Sequence, residues 1–304
     1  MEKLKNNGPN NSDVTISVIV PAYNSEKTIE KTLLSLEKQS QAPDEIIVID
    51  DASTDKTPEI AQKYFRLIRL PRNMGPARAR NIGIKEASGE VIAFIDADCE
   101  ATSGWVEAIK KRFSNNPGVQ VIMGNLKIPS STFLGDSISA LGFPGGGSVG
   151  FDKMWKVDEN GFTDHITSAN FAARKDVFEK YGMFDEGFPL PGSEDPELSF
   201  RLTKLGVPIL YCPEILVYHV PRTDMTSFVR WQIVRGRGNY YFKQRVGQVG
   251  NFIKLRLWSS WNIVKTFIMD PKFPLIFGLL ALSFVLQQYG FYIEKRKNAH
   301  AKGS

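Results

Sequence analysis

Residues 91–99 read VIAFIDADC, in which five apolar residues are followed by two carboxylates one residue apart. A continuous apolar run of this length is typical of a buried strand in a parallel sheet, and it places Asp96 and Asp98 just beyond the strand's carboxyl end. Ligands of α/β sheets bind at that edge. Two adjacent carboxylates repel each other unless a cation is present, and hard divalent cations such as Mg²⁺ or Mn²⁺ prefer oxygen ligands. The pattern favours a metal–diphosphate site over a solvated turn.

Strand-like and helix-like segments alternate around this stretch. Apolar runs at residues 16–20, 45–49 and 66–70 predict strands, and periodic patterns predict helices at 26–39, 58–64, 76–87 and 104–113. Such alternation predicts an α/β domain with a parallel sheet. The regularity fades after residue 119, and residues 142–150 (GFPGGGSVG) predict a flexible loop.

Further polar residues follow the other predicted strands. Pro21, Ala22 and Tyr23 come after the first strand, and Asp51 comes after the second. Because the carboxyl ends of parallel strands share one edge, these residues should lie near Asp96 and Asp98. Arg80 lies in GPARARNIGI (75–84), which opens a helix after a glycine turn. Arginine side chains and helix N-terminal amides both bind anions, although a solvent-facing helix gives the same pattern.

The composition excludes several classes of protein. The chain has 304 residues, 42% of them hydrophobic, and a net charge of +5 from 38 basic and 33 acidic residues, which excludes collagen-like, disordered and coiled-coil chains. Cys99 and Cys212 are too few for a disulfide framework or a four-cysteine zinc site, and they fit a reducing compartment. The Walker motif GxxxxGK[ST] is missing from the sequence. No basic stripe with interleaved aromatic residues favours nucleic-acid binding.

Four segments, in their order and spacing, resemble family 2 glycosyltransferases of the GT-A fold. They are SVIVPAYN (17–24), IDDASTD (49–55), GPARARNIGI and FIDADC (94–99), and the resemblance covers about residues 15–245. It implies a Rossmann-like sandwich with a mixed, mostly parallel sheet. It also implies inverting transfer of a sugar from a nucleotide diphosphate sugar, with Mn²⁺ or Mg²⁺ as the metal.

The resemblance assigns roles to the residues of the first half. Asp98 would bind the metal directly, Asp96 would approach the ribose and the metal, and Arg80 would lie near the nucleotide. Cys99 stands where many members of the family have a third acid, and we do not assign it as a ligand. The residues that would hold the nucleoside are Pro21, Ala22, Tyr23 and Asp51.

In the second half, GSEDPE (192–197) resembles the family's acidic motif, in which Asp195 would be the catalytic base, and Glu194 is assigned to donor binding. An inverting transfer needs one carboxylate that accepts the proton of the acceptor hydroxyl. The alternative is a helix N-terminus where acids are favoured by the dipole, and both interpretations can hold together. TSANFAAR (167–174) resembles the segment that contacts the donor sugar.

Beyond a strand predicted at residues 215–218, His219 matches a position where some members have a further metal or diphosphate contact. A structural role for this lone histidine stays open. Arg230 and Trp231 match only the RW of the QxxRW motif of processive synthases, and Ser227 stands in place of the glutamine, which counts against a processive synthase. Arg230, assigned to donor binding, would contact the diphosphate or acidic lipid headgroups together with Arg235 and Arg237.

The C-terminal region predicts contact with a membrane. Residues 273–293 carry no charge, and as a helix they would extend roughly 31 Å, close to the thickness of a bilayer core. Tyr289 and Tyr292 would be interfacial anchors. Residues 251–269 form an amphipathic pattern typical of an interfacial helix. A buried core helix is the alternative for 273–293, and basic residues on both sides leave the orientation open.

These observations predict three parts: a nucleotide-sugar-binding half at 1–125, an acceptor-binding catalytic half at 126–245 and a membrane-associated extension at 246–304. The expected partners are a nucleotide sugar, a glycan or polyprenyl-linked acceptor and membrane lipid, at the cytoplasmic face of the cell membrane. Residues 1–12 show no apolar run typical of an export signal. The alternatives are a nucleotidyltransferase acting on sugar phosphates and a non-catalytic sugar-nucleotide-binding protein.

Overall fold

A computed structural model of the chain describes residues 14–142, 147–247 and 250–302. The polar N-terminal run lies outside these ranges, as does the central part of the loop predicted at 142–150. At the far end of that loop, Val149 pairs with Lys127 in an isolated antiparallel bridge.

The first half alternates strands and helices as predicted, with boundaries shifted by a few residues. The strands are β1 (Ile16–Ala22), β2 (Glu45–Asp50), β3 (Arg66–Arg69), β4 (Val91–Ile95) and β5 (Cys99–Ala101). The helices are α1 (Ile29–Glu37), α2 (Thr57–Ala61), α3 (Pro76–Glu86) and α4 (Trp105–Asn115).

The second half is more irregular. Its strands are β6 (Val121–Lys127), β7 (Phe162–Thr163), β8 (Asn170–Arg174) and β9 (Ile209–His219). The strand predicted at 215–218 is thus the end of β9. The helices are α5 (Phe133–Ser139), α6 (Phe151–Met154), α7 (Lys175–Tyr181), α8 (Glu194–Lys204), α9 (Met225–Val246), α10 (Gly250–Phe267) and α11 (Phe273–Lys302).

One mixed sheet joins the two halves, in the order β3-β2-β1-β4-β8-β6-β9-β5, with β7 added against β9. Strands β3, β2, β1 and β4 run parallel, whereas β8 is antiparallel to both β4 and β6. Phe94 of β4 stacks on Phe171 of β8 at a ring distance of 4.7 Å. Apolar side chains cover both faces of the sheet. The strand from the second half therefore lies beside the strand that carries the two carboxylates.

Helix α11 packs along α9 instead of standing apart from the domain. At the crossing, a Cβ added to Gly236 would lie 2.1 Å from the Gln287 carbonyl oxygen, and one added to Gly290 would lie 2.2 Å from that of Ile233. Only glycine permits this approach of two helix backbones. Glu294 is also buried against α9, where it accepts hydrogen bonds from Arg237 and Tyr241, at 2.7 Å each.

By length and composition alone, α11 is also the one described helix that could cross a membrane, over Phe273–Ala299. A third of its most apolar window is buried inside the protein. The buried face includes polar groups, since Gln287 bonds both the Gln232 amide and the Arg256 guanidinium at 2.7 Å. Residues 273–293 therefore have one face buried in the protein and the other exposed, and their contact with a membrane stays a prediction.

Candidate active site

A cavity of about 720 Å³ lies at the carboxyl-end edge of the sheet and extends to α8 and α9. Its position follows from the sheet, because the ends of β1, β2 and β4 meet there. All the predicted site residues line it: Pro21, Ala22, Tyr23, Asp51, Arg80, Asp96, Asp98, Glu194, Asp195, His219 and Arg230.

The end of β2 holds the loop that leads into α3. Asp51 is buried, and its two carboxylate oxygens accept hydrogen bonds from the Met74 and Gly75 amides at 2.7 and 2.8 Å. Burial raises the pKa of Asp51, and these two amides oppose the shift. The next residue, Ala52, has a φ of +59°, a conformation rare for residues other than glycine. Asp51 therefore shapes the cavity wall as well as lining it.

Arg80 is buried between the two acidic segments. Its Nη2 donates to Asp96 at 2.8 Å, its Nη1 donates to Glu194 at 2.9 Å, and its guanidinium lies 5.6 Å from the ring centre of Phe184. Burial opposes the charge, but the two carboxylates hold the pKa of Arg80 above its ordinary value. The solvent-facing alternative for Arg80 is wrong, because the helix presents this side chain to the cavity.

Glu194 and Asp195 start α8 but have different environments. Oε2 of Glu194 accepts hydrogen bonds from the Gly192 and Ser193 amides at 2.8 and 2.9 Å, while Oε1 accepts the bond from Arg80. Asp195 is half-buried, and the one hydrogen bond that its carboxylate accepts among the described residues is a long one, 3.3 Å from the Ser168 amide. Glu194 is thus held in place by its hydrogen-bond partners, whereas the carboxylate of Asp195 can still accept further hydrogen bonds.

The cavity also changes the acidity of Asp195. Desolvation raises its pKa to about 7, and Glu194 adds to the shift, while Arg80 and the Ser168 amide oppose it. A carboxylate with a pKa near neutrality is matched to proton transfer at physiological pH. Asp195 lies both at a helix N-terminus and inside the cavity, so the helix position is confirmed and the role of catalytic base stays a prediction.

Strand pairing brings Asp98 and His219 together. Cys99 of β5 is paired with His219 of β9, so Asp98 lies next to the histidine, with Oδ2 3.2 Å from Nε2. Nδ1 of His219 lies 2.7 Å from the Val220 carbonyl oxygen, which can only accept a hydrogen bond, so Nδ1 donates and Nε2 is the ring nitrogen that faces Asp98. This oxygen and nitrogen donor set suits a divalent cation.

Asp96 and Cys99 both lie close to Asp98 and His219. Burial raises the pKa of Asp96, with Arg80 opposing the shift and Asp98 adding to it, and a bound cation would relieve that repulsion. Asp98, Cys99 and His219 form the one described group of three with metal-ligand spacing. The Cys99 thiol is buried with a pKa well above its ordinary value, so it stays protonated and is a poor ligand.

Helix α9 and the loop before it form a cationic wall of the cavity. Arg222, Arg230 and Arg235 line it, and Arg222 lies 4.5 Å over the ring of Trp231. Arg237 does not belong to this wall, because it forms an ion pair with Glu294 at 2.7 Å. We did not predict Arg222 from sequence, although its place three residues after His219, at the same sheet edge, was a usable signal.

The chain is similar to known glycosyltransferases. Polypeptide N-acetylgalactosaminyltransferase 3 of Taeniopygia guttata is 30% identical over 234 residues, which are 69% of this chain and 38% of that protein. Glycosyltransferase AglE of Haloferax volcanii is 26% identical over 236 residues, 73% of this chain and 72% of that protein. The chain thus spans well under half the length of the first relative.

Solved structures and the family profile agree with these relatives. The mannosyltransferase PcManGT from Pyrobaculum calidifontis, in complex with GDP-Man and Mn²⁺, has a TM-score of 0.55 at 17% identity and covers 97% of this chain and 82% of its own. This likeness confirms the predicted GT-A fold. The profile described as Glycosyl transferase family 2 matches residues 17–182, which is more than half of the chain. The chain therefore belongs to glycosyl transferase family 2.

Proposed function

We propose that the protein is an inverting glycosyltransferase that moves one sugar from a nucleotide diphosphate sugar to an acceptor hydroxyl. The observation that carries the proposal is the different environment of the two neighbouring acids. Glu194 is fixed by Arg80 and by backbone amides, whereas Asp195 lines the cavity with a raised pKa and one long hydrogen bond. One accessible carboxylate is what an inverting transfer requires.

In this reaction the acceptor oxygen forms a bond to the anomeric carbon, and the bond from that carbon to the diphosphate oxygen breaks. The proton of the acceptor hydroxyl passes to Asp195. The Ser168 amide, 3.3 Å from Oδ2, orients the carboxylate. Arg80 holds Glu194 and Asp96 together, so the base and the donor side keep a fixed separation during the transfer.

The donor would occupy the side of the cavity next to the sheet. Its nucleobase and ribose would lie near Pro21, Tyr23 and Asp51. Asp98 and Nε2 of His219 would hold a divalent cation, with Asp96 beside them. That cation, when bound, stabilises the charge of the leaving diphosphate. Two findings support this assignment: the donor set itself, and the GDP-Man and Mn²⁺ bound by the PcManGT structure.

We also propose that the C-terminal helices bind a membrane surface in its plane. Exposed apolar side chains form one stripe on each helix, represented by Leu257 and Trp261 of α10 and by Val285 and Tyr289 of α11. The opposite face of α11 buries Gln287, Glu294 and their partners, so a transmembrane orientation would carry those polar groups into lipid. Basic residues at the ends suit anionic headgroups. We propose in addition that the enzyme works at the cytoplasmic face of the membrane, with a lipid-linked or cell-surface glycan as its acceptor.

The competing functions have different products. A nucleotidyltransferase would release pyrophosphate and form a sugar nucleotide, whereas the proposed enzyme releases a nucleoside diphosphate. A non-catalytic binding protein would leave the donor intact. The cavity that brings Asp96, Asp98 and Asp195 together favours a working site over a decayed one.

The test is a thermal-shift and calorimetric screen of nucleotide diphosphate sugars, each with Mn²⁺, with Mg²⁺ and with EDTA. We expect one nucleoside class to bind in a metal-dependent manner and to release its nucleoside diphosphate when acceptor is supplied. Release of pyrophosphate, or binding of no donor, would overturn the proposal.

A further inference from the structure

A second cavity, of about 760 Å³, adjoins the candidate active site, and Trp155 lines both cavities. Aromatic rings and carboxylates are mixed around it, and they come from Phe162, Trp258, Asp152, Asp158 and Asp164. This combination is matched to a saccharide, because a sugar ring has apolar C–H faces that pack on aromatic rings and hydroxyl groups that donate to carboxylates. The reaction proposed above does not use this cavity.

Each of the three acids keeps a carboxylate oxygen for a ligand. Oδ1 of Asp158 accepts hydrogen bonds from two backbone amides at 2.9 and 2.8 Å, and Oδ1 of Asp164 contacts the His165 ring. Oδ1 of Asp152 accepts a hydrogen bond from the Tyr211 hydroxyl at 3.4 Å. Within the described ranges, the Oδ2 atoms of these acids accept no hydrogen bond, so they are available to the hydroxyls of a ligand.

The hydroxyl of Thr163 is an independent sign of a ligand. Thr163 lines the cavity and is only 9% exposed, and its Oγ1 has no hydrogen-bond partner among the described residues. Nearly all buried polar groups of native proteins have a partner, because an unsatisfied one is destabilising. A sugar hydroxyl both donates and accepts, so it satisfies a threonine hydroxyl in either direction.

The charges around the cavity favour a neutral ligand. Its three acids face one cation, Lys156, whose Nζ lies 5.7 Å from the ring centre of Trp258. The negative field of this surface repels phosphates and acidic sugars. The three acids also lack the spacing to share a metal ion, which among the described residues is found only at Asp98, Cys99 and His219.

A short segment connects the second cavity to the proposed base, Asp195. Residues 163–168 run from the wall of this cavity to Ser168, whose amide lies 3.3 Å from the Asp195 carboxylate. Five residue steps of extended chain reach at most about 18 Å, a distance that a short oligosaccharide spans. Trp155, which lines both cavities, stacks on His165 of the same segment at a ring distance of 4.0 Å. A glycan with one hydroxyl at the base therefore reaches the second cavity.

We propose that the second cavity binds a neutral sugar of the acceptor glycan, a few rings away from the hydroxyl that Asp195 deprotonates. This subsite rests on the proposed glycosyl transfer, and it names the acceptor as a neutral oligosaccharide. Trp258 packs on a face of the sugar, while the three acids and Thr163 bind its hydroxyls. No bond forms or breaks in the second cavity, so the subsite affects acceptor binding and leaves the chemical step unchanged.

Binding is measured first without turnover. The full-length protein, saturated with Mn²⁺ and the nucleoside diphosphate found in the donor screen, is titrated by calorimetry with cellotriose, maltotriose, triacetylchitotriose and trigalacturonic acid. We expect a neutral trisaccharide to bind and trigalacturonic acid not to bind. Trp258→Ala and Asp152→Asn should each weaken that binding by about tenfold or more.

The matched control for Trp258→Ala is Trp261→Ala. Both tryptophans lie on α10, and each has a lysine near its ring, since Nζ of Lys265 lies 5.5 Å from the ring centre of Trp261. Trp261 does not line the second cavity. The control variant should therefore bind the trisaccharide like wild type.

Turnover then distinguishes a binding subsite from general damage to the fold. With the trisaccharide that binds as acceptor, Trp258→Ala should raise the acceptor KM by about tenfold or more and keep kcat within about twofold of wild type. A protein that binds its donor but no neutral trisaccharide would overturn the subsite. Equal affinity in Trp258→Ala, a preference for trigalacturonic acid, or a loss confined to kcat would also overturn it. A protein that binds no donor would instead contradict the proposed function.

Discussion

Arg80 donates from Nη1 to Oε1 of Glu194 at 2.9 Å, in a contact buried between α3 and the start of α8. This ion pair gives Glu194, the first acid of the GSEDPE segment, a cationic partner. The second acid, Asp195, is left as the accessible carboxylate. A buried charge that loses its partner is strongly destabilising, so the pair also fixes α8 to the sheet edge. One contact thereby connects the fold to the assignment of the base.

The first prediction concerns that base. Asp195→Asn keeps the shape of the side chain but cannot accept a proton, so kcat should fall by about 10²–10⁴-fold. Nucleotide affinity with Mn²⁺ should change little, because Asp195 is not among the residues proposed to hold the nucleotide or the metal. Calorimetry and a nucleoside diphosphate release assay measure the two quantities separately. Normal turnover in the variant would show that Asp195 is not the catalytic base.

The second prediction is a pH dependence. The pKa of Asp195 is raised from 3.8 to about 7, and the base acts in its ionised form, so kcat/KM should rise with pH and level off above about 7. The folded state binds this proton more tightly than the unfolded state. The ionisation of Asp195 therefore lowers the free energy of unfolding as pH rises from the unfolded-state pKa of 3.8 to the folded-state pKa of about 7. Asp195→Asn should therefore melt at a higher temperature than wild type at pH 8, with a smaller gain at pH 5. A constant difference would contradict the assigned pKa.

The third prediction concerns the cation. Asp98→Ala and His219→Ala should each weaken Mn²⁺-dependent nucleotide binding by about tenfold or more, because each removes a donor atom of the pair 3.2 Å apart. Binding in EDTA should be the same in both variants as in wild type. Asp158→Asn, in an exposed turn, serves as the control. An unchanged affinity for Mn²⁺ and nucleotide would exclude these two side chains as ligands.

The fourth prediction tests the contact between α9 and α11. A Cβ on Gly290 would lie 2.2 Å from the Ile233 carbonyl oxygen, so Gly290→Ala should cost about 1–3 kcal/mol and lower Tm. Gly278 of the same helix has open space around its Cβ position. Gly278→Ala should be neutral or stabilising, because alanine favours helix. Similar Tm values for the two variants would contradict the packing described above.

The fifth prediction concerns the exposed apolar stripes of α10 and α11. Trp261 and Tyr289 are 59% and 56% exposed, and replacing both with Glu should weaken binding to vesicles that contain anionic lipid. Leu205→Glu, at an equally exposed apolar position after α8, should bind vesicles like wild type. Cosedimentation measures both. Transfer to a soluble acceptor should be unaffected in the double variant. Undiminished vesicle binding by that variant would show that the stripes do not bind the membrane.

Sequence alone predicted the parts of the fold that depend on local pattern. The apolar runs identified β1, β2 and β4, and the polar residues that follow them do meet in one cavity. The position of β8 between β4 and β6 depends on pairing between distant segments, which no local pattern encodes.

Local sequence patterns also did not predict the contacts of the C-terminal helices. The uncharged run at 273–293 predicted apolar surroundings, but it could not show that Gln287 finds Gln232 and Arg256 as partners. The role of Arg237 changed for the same reason, because Glu294 lies 57 residues later in the chain. Partners separated by such distances are defined only once the helices are packed.

The measurement that tests the central claim most directly is the anomeric configuration of the product. The wild-type enzyme is incubated with the donor and metal found in the screen and with an accepted acceptor, and the glycosidic linkage is read by NMR. A single base and direct attack on the anomeric carbon predict an inverted linkage and one nucleoside diphosphate released for each glycoside. A product that retains the donor configuration would contradict the account.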